Sequence, residues 1–246
     1  MASLSLVSVN IERSKHIDTV VPFLKAHNPD VATIQECMEE NLAFFEKEFD
    51  MEAHFAPMCL FSEHGETPRM MGVAIFSRTG LHDSSTRYYG GIPQGVSEFD
   101  DSTDFARISS WENLRKVLVT AVVSKENTEF RLATTHFTWS PTGEVTEAQE
   151  RDLAELLSVL EKFPELALTG DFNAPRGRAI WDTLAKKYKD NIPARYTSSI
   201  DPMHRAGELP YVVDGIFTTP EYKIENVELH AGISDHKAVT AELAKV

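Results

Sequence analysis

Residues 166–177 read LALTGDFNAPRG: three apolar residues run into Asp171 and Asn173 and stop at Pro175 and Gly177. A carboxylate can orient or deprotonate a water, and a carboxamide can donate to an oxygen on which negative charge develops. Along an extended backbone, side chains i and i+2 share a face, so Asp171 and Asn173 are expected to leave the strand end together. Other polar residues also stand where apolar runs stop: Asn10 and Glu12, Glu36, His136, Asp214, and the pair Asp235 and His236. Taken singly, each is the kind of residue that caps or turns any strand. Taken together, they are the oxygen ligands that a hard cation needs and the bases and donors that phosphoester cleavage needs. A helix-covered sheet would gather such strand ends along one rim.

The elements that must position them alternate between two periods. LSLVSV at 4–9 reads as a strand ending at Asn10, and DVATIQE as a second strand ending at Gln35 and Glu36. Between them Val20, Val21 and Leu24 form an apolar stripe. Pro22 then belongs in the first turn of a helix beginning near Asp18 or Thr19. Residues 38–49 look helical, and MEAHFAP and MMGVAIFS look extended. The stretch 84–113 is either a long loop or a pair of short strands with a wandering tip. KVLVTAVVS and EFRLATTH form a hairpin pattern. Residues 145–163 hold the clearest helix, with Val145, Leu153, Leu156, Leu157 and Leu160 on one face and Thr146 with Gln149 suited to a capping box. A further helix is expected near 177–187, and YVVDGIFT, KIENVELH and KAVTAELA close the chain as strands. There is no internal repeat, low-complexity tract or linker, so residues 1–246 are expected to form one domain.

The chain has 246 residues and a formal net charge of -14. A protein that coats duplex nucleic acid presents Lys and Arg to the phosphates, so this acidity argues against a passive nucleic-acid binder. It does not exclude an enzyme whose bound cation inverts the local charge. Cys37 and Cys59 show no zinc-ligand spacing; they are either a disulfide or, as expected in a reducing compartment, two free buried thiols. MASLSLVSVN lacks a basic leader and reaches a polar residue after nine, so neither a signal peptide nor a membrane span is expected and the location is expected to be cytoplasmic.

Asn10, QE at 35–36, TH at 135–136, GDFN at 170–173, VDGIF at 213–217 and SDH at 234–236 appear in the order of the endonuclease/exonuclease/phosphatase (DNase I-like) superfamily, which the chain resembles over essentially its full length. The resemblance implies a four-layer α/β/β/α sandwich of two mixed sheets flanked by helices, with a metal-dependent phosphoesterase site. Magnesium, with manganese able to substitute, would be held by Glu36 with Asn10, and Asp235 would support the metal side. Asp171 would act on the attacking water and Asn173 would donate to a phosphoryl oxygen. His236 would donate to the scissile phosphate or activate water, Asp214 would fix its tautomer, and His136 would be a second donor across the phosphate. Members of the family divide these acid and base labels differently.

Two departures stand out. The family's usual Asn before Thr-His is Thr134 here, and Glu12 replaces the shorter Asp that many members use as a further metal contact, so Glu12 either reaches the metal or points away. No long insertion resembles the loops of duplex-cutting members, and no Lys/Arg cluster suits multiply phosphorylated inositols. Rim candidates for substrate binding are Arg176, Tyr88 and Trp139, with Arg87, Tyr89, Trp111, Arg178, Trp181, His204 and Arg205 weighed beside them as possible packing residues. The expected function is a nuclease or phosphodiesterase acting on single-stranded, terminal or damaged nucleic acid. The alternatives are a hydrolase of small-molecule or lipid phosphoesters and a catalytically silent binding module. No membrane or protein partner is implied.

Overall fold

The computed structural model describes residues 2–62, 67–91, 95–100 and 114–246; Trp111 lies outside them, as does much of the stretch 84–113. Branched residues at alternate positions make Ser3–Asn10 (β1) a strand with two apolar faces: Leu4 and Leu6 enter one core and Val7 and Val9 another. A strand apolar on both faces must be covered on both, which requires layers. The remaining elements are α1 (Ile17–His27), β2 (Val31–Met38), α2 (Leu42–Phe49), β3 (Glu52–Ser62), β4 (Arg69–Ser77), β5 (His82–Gly90), β6 (Ser97–Asp100), β7 (Lys116–Lys125) and β8 (Thr128–His136). They continue as α3 (Glu147–Leu160), β9 (Ala167–Asp171), α4 (Ala179–Lys187), β10 (Lys189–Asp190), β11 (Asp214–Thr218), β12 (Tyr222–His230) and β13 (Ala238–Lys245).

Among the described residues, seven strands form one sheet in the order β12-β13-β1-β2-β4-β3-β6, and six form a second in the order β10-β11-β9-β8-β7-β5. Both are mixed: β1 runs parallel to β2 and β8 parallel to β9, whereas β13, β4, β7 and β11 pair antiparallel with them. Leu4, Leu6, Val31, Val73 and Ile75 of the first sheet share a core with Val117, Val119 and Leu132 of the second, so the sheets pack face to face. Helices α1 and α2 bury Val20, Leu24, Phe45 and Phe49 on the outer face of the first sheet, and α3 and α4 bury Leu156, Leu160, Trp181 and Leu184 in the core that includes the second. The result is the expected four-layer sandwich. Toward one rim the space between the sheets turns polar: Thr169 Oγ1 donates to Thr33 Oγ1 at 2.9 Å and Gln35 Nε2 to Thr134 Oγ1 at 3.0 Å.

Several local expectations are corrected. Helix α1 starts at Ile17, so Pro22 lies in its second turn; its absent N–H leaves the Asp18 carbonyl without the usual helical donor. Residues 39–41 form a 3-10 turn and α2 begins only at Leu42. Half of the capping box is present, since the Thr146 side chain accepts from the Gln149 N–H at 3.2 Å. The Gln149 side chain instead donates to the Thr138 and Asn173 carbonyls. Cys37 and Cys59 are free and buried on strands flanking β4, where they pair with Gly72 and Met71. No helix among the described residues is long and apolar enough to cross a membrane.

Candidate active site

Strand register alone assembles half of the site. In the second sheet His136 pairs with Asp171 and Asp171 with Asp214, so three neighbouring strands place these side chains in one row. The row has the same parity as Thr134 and Thr169, whose hydroxyls reach the first sheet, so it faces inward. Close packing of the strands depends on Gly170, where a Cβ would stand 2.1 Å from the Thr135 carbonyl oxygen. His236, just before β13, completes the row: its Nδ1 lies 2.9 Å from Asp214 Oδ2 and its Nε2 3.7 Å from Asp171 Oδ2. His136 Nε2 is 3.4 Å from the same Asp171 oxygen.

The first sheet supplies the opposite wall. Asn10, in phase with Leu4 and Leu6, faces the second sheet, and its Nδ2 donates to Glu36 Oε1 at 3.2 Å and to Asp171 Oδ2 at 3.1 Å. Simple alternation would send Glu36 to the outer face with Ile34. A bulge between Ile34 and Cys37, with Glu36 at φ +52°, turns its carboxylate to the rim instead, 4.0 Å from His136 Nε2. Asn173 is reached differently from the expected i, i+2 alternation. The strand ends at Asp171, and Asn173 adopts φ +48° with its N–H donating back to Asp171 Oδ1 at 2.8 Å. This Asx-type turn, with Gln149 holding the Asn173 carbonyl, keeps the pair together. The Asn173 Nδ2 also donates to the Phe137 carbonyl at 3.2 Å.

Of these, Glu36, His136, Asp171, Asn173 and His236 line a small cavity of about 70 Å³ with Glu12, Arg13, Asp235, His204, Arg205 and Trp139. Burial opposes charge on His236, but the adjacent Asp214 and Asp171 carboxylates outweigh it and hold its pKa well above the ordinary histidine value. Burial would likewise raise Asp171, yet His236, His136 and the Asn173 N–H bring it below the usual carboxylate range. Asp235 is pushed up to about 6, mainly by burial, with Glu36 and Glu12 adding to the rise. His204 is pushed down by burial and then by His236 and Arg205. The Ala206 N–H donates to its Nδ1 at 3.1 Å, so in the neutral ring the proton sits on Nε2.

The donor set fits a hard divalent cation. Glu36 and Asp235 bring carboxylate oxygens to one rim, with the Asn10 amide presenting its NH₂ to Glu36, and Glu36 Oε2 is buried without a hydrogen-bond donor, although Arg13 Nη1 lies 3.7 Å away. Among the described residues, two triads of acidic and histidine side chains bring ligand atoms within 4.8 Å of one another, Asp171 with Asp214 and His236, and Glu12 with His16 and Asp235; Glu36 is in neither. Both are largely committed to internal pairing: His236 Nδ1 faces Asp214, and Glu12 is bound by Arg13, Lys15 and His16.

Arg13, absent from the sequence candidates, is buried beside Glu36 with its guanidinium 4.5 Å from the Phe61 ring centre. Its one signal was a basic residue three positions after the strand-end Asn10. Lys116 was also missed. Burial pushes its ammonium down to about 8, against the pull of Asp152, Cys59 and Asp171.

Three rim expectations move away from the cavity. Arg176 is drawn to the Ile192 and Tyr196 carbonyls, and Tyr88 donates to the Pro57 carbonyl beneath the Arg115 guanidinium. Trp181 is fully buried against Phe172 and Phe217 and donates to Asp190. Tyr89 is buried with its hydroxyl 2.7 Å from Thr135 Oγ1, and Arg87 is exposed on β5. Trp139, His204 and Arg205 do line the cavity.

The model of the endonuclease/exonuclease/phosphatase family matches residues 7–236. No curated protein sequence matches the chain. Among solved structures, an endonuclease/exonuclease/phosphatase from Bacteroides vulgatus is similar at 18% identity and a TM-score of 0.72, covering 100% of both chains. The human Nocturnin catalytic domain with a bound sulfate anion is similar at 15% identity and a TM-score of 0.70, over 99% of this chain and 94% of that one. A mannosyl-6-phosphatase from Bacteroides thetaiotaomicron is similar at 15% identity and a TM-score of 0.68, over 98% of this chain and 99% of that one.

Proposed function

The chain belongs to the endonuclease/exonuclease/phosphatase family, and on that premise we propose that it is a divalent-metal-dependent phosphodiesterase that cleaves nucleic acid at single-stranded, terminal or damaged positions. The observation that carries the reading is the row His136, Asp171, Asp214 and His236, joined by the Asn10 amide to Glu36 on the opposite sheet.

In this reading Glu36 holds magnesium or manganese, with Asn10 and Asp235 beside it. The cation would supply Lewis-acid stabilisation of a phosphoryl oxygen. Asn10 presents its amide N–H to both carboxylates, so it spaces Glu36 from Asp171; its Oδ1, which accepts the Glu12 N–H, faces a metal only after the amide turns over. Asp171, kept ionised by two histidines, accepts a proton from the attacking water or orients it. His236, kept protonated by Asp214 and Asp171, serves as a donor to a phosphoryl oxygen rather than as the base. His136 would donate from the opposite side, and Asn173 would donate its second amide hydrogen to the same anion.

A second reading, hydrolysis of a small phosphoester, is favoured by the small size of the cavity. A silent binding module is disfavoured because every expected catalytic residue is present and most are hydrogen-bonded into the row. An end-labelled single-stranded oligonucleotide incubated in Mg²⁺ and in EDTA separates the readings. Metal-dependent products that vanish in His236→Ala support the nuclease, whereas intact oligonucleotide alongside hydrolysis of a small phosphomonoester would transfer the activity to the second reading.

A further inference from the structure

Helix α3 covers the second sheet, and a helix in that place needs an apolar buried side; Leu153, Leu156, Val159 and Leu160 supply one. Its first turns differ. Gln149 and Asp152, three residues apart on one side of the helix, are both almost fully buried. A polar side chain in such a place costs stability unless its hydrogen bonds are made, and an apolar one would pack there without that condition. Both make bonds to Thr138, and Gln149 reaches further. Gln149 Nε2 donates to the Thr138 carbonyl at 2.8 Å and to the Asn173 carbonyl at 3.2 Å. Thr138 Oγ1 donates to Asp152 Oδ2 at 2.6 Å. Asp152 has room because Gly90, at the end of β5, has no side chain: a Cβ there would stand 2.7 Å from the Asp152 Cγ. The carboxylate and the buried Lys116, which pairs with Gly90 across β5 and β7, attract one another.

We propose that Gln149 is a positioning residue of the site: it anchors the loop after His136 and the turn at Asn173 to α3, and so holds the Asn173 carboxamide where it meets the phosphoryl group. The proposal rests on the phosphoesterase reading and deepens it. The two loops are tied to each other, since the Phe137 N–H donates to the Asp171 carbonyl at 2.8 Å and Asn173 Nδ2 to the Phe137 carbonyl at 3.2 Å. Those bonds fix the loops relative to one another but not against the helix that covers them. Gln149 supplies that tie without lining the cavity itself. The turn needs holding, because Asn173 sits at φ +48°, a left-handed conformation that a side chain adopts at a cost. Asp152, fixed on the Gly90 backbone, steadies the same loop through the Thr138 hydroxyl. A group that must donate to a developing charge acts only when it is held in place beforehand, and a shift of about 1 Å can cost about 10²-fold in rate.

The test replaces Gln149 by Met, which keeps the length of the side chain and removes its donors, in the wild-type and Asn173→Gly backgrounds. Glycine keeps the left-handed turn while deleting the carboxamide. With bis(p-nitrophenyl) phosphate in Mg²⁺, Gln149→Met should lower kcat by about 10- to 100-fold and leave KM within about threefold. In the Asn173→Gly background the same substitution should lower kcat by less than about threefold, because the group it positions is gone. A loss of equal size in both backgrounds would mark a general structural effect and overturn the positioning role, as would an unchanged kcat. The second measurement is hydrogen exchange of the Asn173 N–H, followed by NMR. It should quicken by about tenfold in Gln149→Met, as expected for one lost hydrogen bond, while the N–H groups of β9 stay as protected as in the wild type. Unchanged exchange at Asn173 would overturn the anchor. If Gln149→Met does not fold, Gln149→Glu, which keeps the shape and turns acceptors toward both carbonyls, is read in the same way. A wild type that leaves the ester intact refutes the phosphoesterase reading alone, and exchange at Asn173 then decides the anchor. An active wild type whose Asn173 exchange ignores the substitution refutes the anchor alone.

Discussion

Replacing Asp214 by Asn removes one charge from the row and little volume. Asp214 Oδ2 lies 2.9 Å from His236 Nδ1 and both residues are buried, so the bond is a charge-assisted one shielded from water. Such a bond contributes about 1.5–3 kcal/mol. At about 1.4 kcal/mol per tenfold, its loss from the transition state lowers kcat/KM by about 10- to 150-fold. An amide that turns its NH₂ toward the ring would also impose the wrong tautomer, which moves the effect toward the upper end. The sign of the pH effect follows from the same geometry. Burial opposes the His236 charge, and Asp214 is the first of the carboxylates that raise its pKa. Without that charge the imidazolium is lost sooner, so the alkaline limb of kcat/KM moves to lower pH. Because the native His236 pKa is raised, its contribution to stability is complete below the ordinary histidine pKa and is lost as pH rises through the elevated one. Destabilisation of Asp214→Asn is therefore greatest at acid to neutral pH and shrinks toward alkaline pH. The assay is hydrolysis of bis(p-nitrophenyl) phosphate in Mg²⁺ between pH 5 and 10, with urea unfolding at the same pH values. A kcat/KM within about threefold of wild type and an unmoved alkaline limb would refute the role given to the pair.

Asp171→Asn should lower turnover of the same ester by about 10³-fold or more while the far-ultraviolet spectrum is retained; near-normal turnover would remove Asp171 from the chemistry. Since the native Asp171 pKa is depressed, its stabilising contribution is present above the ordinary carboxylate pKa and is lost as pH falls through the depressed value. Acid-induced unfolding should lose that component in the variant. Glu36→Gln should raise the magnesium concentration needed for half-maximal activity, and an unchanged metal titration would take Glu36 out of the metal shell. Gly170→Ala, at φ +148° and with its new Cβ 2.1 Å from the Thr135 carbonyl oxygen, should cost about 2–4 kcal/mol in urea unfolding and disturb the His136–Asp171 register. A variant as stable as wild type would show that the two strands are less closely set.

The strands and helices were readable because both periods are strong, whereas their arrangement in four layers followed from the family resemblance. Leu4 and Leu6 against Val7 and Val9 mark a strand covered on both faces, and Leu153, Leu156 and Leu160 mark the side that α3 buries. His136, Asp171 and Asp214 were readable for a related reason, as strand ends that register then aligns. What sequence patterns could not carry were interruptions of the pattern. Glu36 reaches the rim through a left-handed bulge residue and Asn173 through an Asx-type turn, and neither break has a glycine to announce it. Arg176 looked like a rim residue because it follows Asn173 by three positions, but its guanidinium was claimed by the Ile192 and Tyr196 carbonyls, a tertiary arrangement with no local signature. Arg13 escaped notice because a buried arginine is unusual. Its burial becomes intelligible only with Glu12, Glu36 and Phe61 around it.

The most direct test of the account is the initial rate of bis(p-nitrophenyl) phosphate hydrolysis by wild type and His236→Ala, each in Mg²⁺ and after EDTA with metal restored. The account predicts hydrolysis by the wild type that EDTA abolishes and added Mg²⁺ recovers, and a loss of several orders of magnitude in the variant under every condition. Hydrolysis that persists in EDTA, or a variant as active as wild type, would contradict it.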